Sequence, residues 1–131
     1  MAIRTLSSKA QVHLAALDEF SQKIQRVYGL VEQYAAARAG TEVLTMALKR
    51  NFAQLKRELM GAGMDQLSQL AGSMEIASTR GTSQQTRSRI LREGVGSLKF
   101  QIEFEQRLTV INDLAEQERA AEEKAAQETK E

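Results

Sequence analysis

Apolar residues recur at heptad spacing from the start of the chain: Ile3, Ala10, Leu17, Ile24 and Val31 share one position, and Leu6, His13, Phe20, Val27 and Tyr34 share the other. That period belongs to a helix with one buried face. Leu14, Ala16, Tyr28, Leu30 and Ala35 widen the stripe beyond the narrow seam of a two-stranded coiled coil, so three or more helices are expected to share the core. Ser8 with Gln11 three residues later has the form of a capping box, and Gly40 suits a stop, which predicts a helix over roughly Ser8 to Ala37.

Leu44, Leu48, Phe52, Leu55 and Leu59 then form one face of a second helix, with Thr41 as its expected cap. Met60, Met64, Leu67, Ala71 and Met74 would lie roughly 120° further round if that helix continued unbroken. The GAG at Gly61 to Gly63 accounts for the jump, because glycine permits a break and Asp65 can cap a new start. The polar stretch Ser78 to Arg89 reads as a loop leading into a helix capped by Thr82, with Gln85 at the reciprocal position.

From Leu98 to Glu105 apolar and polar residues alternate, which is the spelling of a half-buried strand. No other segment alternates long enough to pair with it, and a lone strand would leave its backbone groups without partners. On a helix the same residues fall into two stripes: Leu91, Val95, Leu98 and Ile102 on one side, Phe100, Phe104, Leu108, Ile111 and Ala115 nearly opposite. The last helix, Ser83 to about Arg119, therefore has two apolar faces, and the sequence does not say which turns inward. Beyond it, the Ala- and Glu-rich run Ala115 to Glu131 is polar nearly all round and predicts a projecting or frayed helix. The expected fold is all-α: an antiparallel bundle over residues 1–114 with two long helices and an interrupted middle one, followed by the acidic tail 115–131.

Composition agrees with long helices, since the 131 residues include no proline, cysteine or tryptophan. Disulfides and thiolate metal sites are thereby excluded. No apolar run reaches the length of a membrane span or a signal segment, so the cytoplasm is the expected location. The net charge of +1 conceals an asymmetry: from Ala115 onward six glutamates face three bases, a net of −3 that leaves +4 on the rest. Lys49 to Arg92 alone holds eight bases against Glu58, Asp65 and Glu75.

Catalytic chemistry finds little to work with. The one histidine, His13, has no Glu-x-x-His partner for a metal, and a serine nucleophile would need that same residue as its base. Glu103 and Glu105 lie on different sides of a helix, and neither GAG nor GVG has the lysine or strand context of a nucleotide loop. No enzyme, metal or cofactor is expected. The expected function is a non-catalytic interaction or assembly protein, with Leu98, Phe100, Ile102, Phe104 and Leu108 contacting a protein partner or a second copy. The alternative is a helical subunit that binds the phosphate backbone of RNA or single-stranded DNA. Lys49 with Lys56 and Arg50 with Arg57 repeat about 10 Å apart along neighbouring ridges, and Arg80, Arg87, Arg89 and Arg92 lie in or beside the Ser/Thr/Gln-rich stretch.

Overall fold

The computed structural model describes residues 5–129 and contains four helices: α1 (Ser8–Ala36), α2 (Thr41–Gly61), α3 (Asp65–Thr79) and α4 (Gln84–Thr129). Short connections make each helix run antiparallel to the next. α1 packs on α2 and α4, and α3 packs on α2 and α4, which puts α1 and α3, and α2 and α4, at opposite corners of an up-down bundle. No strand occurs among the described residues. The chain is therefore an all-α helical bundle.

The heptad of α1 is the buried face. Ala10, Leu17, Phe20, Ile24, Val27, Val31 and Tyr34 are all buried, whereas Leu6 and His13 are only half-buried and Ile3 lies outside the described residues. Leu48, Phe52, Leu55 and Leu59 enter the same core from α2, Leu67, Ala71 and Met74 from α3, and Leu91, Val95, Leu98 and Ile102 from α4. The stripe jump at GAG is a real break: α2 ends at Gly61, Gly63 adopts φ +78°, and α3 starts at Asp65.

Helix starts differ from the sequence expectation by one residue. Ser7, not Ser8, caps α1 by accepting from the Ala10 amide, and Ser83, not Thr82, caps α4 by accepting from the Thr86 amide. Thr41 and Asp65 are the first helical residues rather than caps, behind Gly40 and Met64. The loop expected over Ser78 to Arg89 shrinks to residues 80–83, because α3 extends to Thr79, with the Ser78 hydroxyl donating to the Met74 carbonyl. α4 also runs on as one helix to Thr129, past the expected end near Arg119.

Gly94 is buried against Met74 where α4 packs on α3. A Cβ at that position would stand 1.9 Å from Met74 Sδ, whereas a Cβ on Gly96 would meet nothing within 4 Å. Gly94→Ala is therefore expected to destabilise the bundle by about 1–3 kcal/mol through overpacking, while Gly96→Ala stabilises it by about 1 kcal/mol through helix propensity. Urea midpoints of the two variants, shifted in opposite directions from the parent, check this pair.

Candidate interaction surfaces

The four helices have 29, 21, 15 and 46 residues, so α2 and α3 are too short to accompany α1 and α4 along their whole length. The turn between α2 and α3 lies beside α4 at Gln101, Phe104 and Glu105. Past that level the start of α1 pairs with α4 alone, and past Gln117 every described residue of α4 is exposed. The molecule thus tapers from four helices to two and then to one.

α4 resolves its two stripes unequally. Leu98 and Ile102 are fully in the core, which withdraws them from any partner surface. Phe100 is 62% exposed, Phe104 48% and Ile111 60%, and Leu108 is half-buried at the edge of the same face. Shallow grooves flank this face. One is lined by Leu14, Arg107, Val110 and Ile111, and the other by Met64, Leu67, Gln101 and Phe104. Ile111 belongs to the outward stripe read from the sequence and extends the surface beyond the residues expected to touch a partner.

The basic residues divide in two. Arg87 is used internally: Nη1 donates to the buried Tyr34 hydroxyl at 2.8 Å and Nη2 to the Arg80 carbonyl. Beside it Gln84 Nε2 donates to the Tyr34 and Ala37 carbonyls, both at 2.8 Å, satisfying the end of α1. Arg92 makes a two-pronged contact with Glu32, Nε to Oε1 at 2.7 Å and Nη2 to Oε2 at 2.9 Å, and its hydrogen bond holds the Glu32 carboxyl below the usual range. Arg87 is thus committed inside the bundle, whereas Arg92 stays exposed and shares its guanidinium with Glu32. Arg80 in the loop and Arg89 in the second turn of α4 stay exposed. Lys49, Arg50 and Arg57 are exposed on α2, Lys56 is half-buried there, and none of the four forms an ion pair among the described residues. The carboxylate of Glu58 turns instead to Lys23 on α1, whose hydrogen bond lowers its pKa.

At the two-helix level a polar clasp replaces apolar packing. Asp113, buried at 8% exposure, accepts from the Ser7 amide at 2.9 Å and the Ser7 hydroxyl at 2.5 Å, and Gln117 Nε2 bridges Asp113 Oδ2 and the Thr5 carbonyl. Its partner lies 106 positions away in the sequence, so no local pattern marks this residue as buried.

Comparison with protein-family models, curated proteins and solved structures finds no match for this chain.

The Ser7 hydroxyl, then the Ser7 amide, hold the Asp113 carboxyl below its ordinary value of 3.8. A depressed folded pKa means that the clasp contributes fully above the ordinary value and is lost as pH falls through the lower, folded one. Asp113→Asn is expected to be less stable than the parent at neutral pH, and the gap should close on acidification through that window. Urea titrations of both proteins across the acid range measure it.

Proposed function

We propose that this chain is a non-catalytic helical assembly subunit, which docks a protein partner on the outward face of α4. One observation supports the reading: the Phe100, Phe104 and Ile111 stripe stays exposed although Leu98 and Ile102 already satisfy the core. Paired phenylalanines at i and i+4 on a long, rigid helix give a partner helix a ridge to pack against. Large aromatic side chains also carry much of the binding energy in protein interfaces. Changing Phe100 and Phe104 together to Gln is expected to abolish the salt-resistant part of association with little loss of helicity. Leu98→Ala and Ile102→Ala should instead cost about 2–5 kcal/mol each in folding stability. Sedimentation at high salt, where contacts between exposed charges are screened, and thermal unfolding of the two sets separate the roles; high-salt association that survives the phenylalanine changes would end this reading.

A second reading, a subunit that grips nucleic-acid backbone, draws on the unpaired bases of α2. Lys49, Arg50, Lys56 and Arg57 are its candidates, with Arg80 in the loop and Arg89 at the start of α4. Replacing the four α2 bases with Gln should weaken binding of unrelated RNA sequences alike and flatten its salt dependence, because contacts to phosphate act through released counterions. A parent chain that binds no RNA at low salt removes this alternative.

A further inference from the structure

The outer face of α2 combines positive charge with exposed apolar groups. Lys49, Arg50 and Arg57 are exposed, Lys56 runs its stem over Gly72 of α3, and Met46 and Met60 lie exposed beside them. The acids of α2 are Glu42, before this face begins, and Glu58, which is held by Lys23. The groove that Lys49 and Lys56 share with α3 contains Ser73, Ile76 and a single carboxylate, Glu75. The complementary element is in the same chain. Over residues 115–129 α4 carries Glu116, Glu118, Glu122, Glu123 and Glu128 against Arg119 and Lys124, interleaved with Ala120, Ala121, Ala125 and Ala126, whose small side chains let a flexible methionine lie close.

We infer that the acidic tail of one copy docks on the basic, methionine-bearing face of α2 of a second copy. The tail fits within the face: residues 118–129 form about 18 Å of helix, and Val43 to Met60 present about 27 Å. A chain cannot make this contact with itself, because α4 is one continuous helix leading away from the bundle and α2 sits at the opposite corner from it. A solitary helix of this length is marginal in water, so cover by a second copy stabilises the tail as well as the charges. Two copies exchanging tails close a pair, and a one-way exchange builds a chain. The inference rests on the assembly reading but uses a different surface from the phenylalanine face.

The test uses the full-length chain carrying Phe100→Gln and Phe104→Gln, so that docking on α4 does not contribute. In that background one variant reverses the α2 face (Lys49→Glu, Arg50→Glu, Arg57→Glu) and another reverses the tail (Glu118→Lys, Glu122→Lys, Glu123→Lys). All six reversed positions are exposed and leave the core untouched, which circular dichroism verifies. The unreversed protein is expected to self-associate in sedimentation at low salt and to weaken about tenfold as salt screens the exposed charges. Each reversed variant alone should be monomeric, and their equimolar mixture should associate again. A monomeric unreversed protein, or a mixture that stays monomeric, overturns the inference while leaving the phenylalanine-face reading to its own test. So does finding that the unreversed protein remains monomeric while RNA binds the α2 face and is lost on its reversal.

Discussion

A helix in a four-helix bundle has two neighbours and can bury only the stripe that faces them. For α4 that stripe is Leu91, Val95, Leu98 and Ile102, brought close to α3 because Gly94 gives Met74 room. The remaining arrangement depends on this contact. With α4 rotated so that Leu98 points inward, Phe100 and Phe104 must point out, and Asp113, four turns further on, comes round to meet Ser7. One choice of rotation thus sets both the exposed apolar face and the polar fastening at the far end.

Polar contacts close the structure where the apolar core stops. At the wide end Gln84 and Arg87 tie the start of α4 to the last carbonyls of α1 and to Tyr34. At the narrow end Asp113 and Gln117 tie α4 to the residues before α1. Buried or half-buried groups of this kind contribute little net energy when paired but cost heavily when one partner is removed, so they favour one register of α1 against α4 over its neighbours.

The parts legible in the sequence are those set by local periodicity. The heptad of α1, the break at GAG and the two stripes of α4 all follow from the spacing of apolar residues, and together they specify the bundle. Which stripe of α4 turns inward was not legible, since both are apolar and only the packing against Met74 and α1 distinguishes them. The caps illustrate the same limit: Ser7 wins over Ser8 because Asp113, more than a hundred positions away, engages its hydroxyl and amide. Likewise Arg87 and Arg92 look like their basic neighbours until Tyr34 and Glu32 are placed beside them.

The unbroken course of α4 gives one helix three grades of local stability. Its first part is gripped by α1 and α3, its middle by α1 and the Asp113 clasp, and residues 118–129 by nothing among the described residues. Opening from the free end therefore meets no resistance until it reaches Gln117 and Asp113, where the fastening to Thr5 and Ser7 must give way. The clasp acts as a stop for fraying, and it confines backbone amide exchange and protease attack to the tail while the segment around Leu98 keeps the protection of the whole bundle.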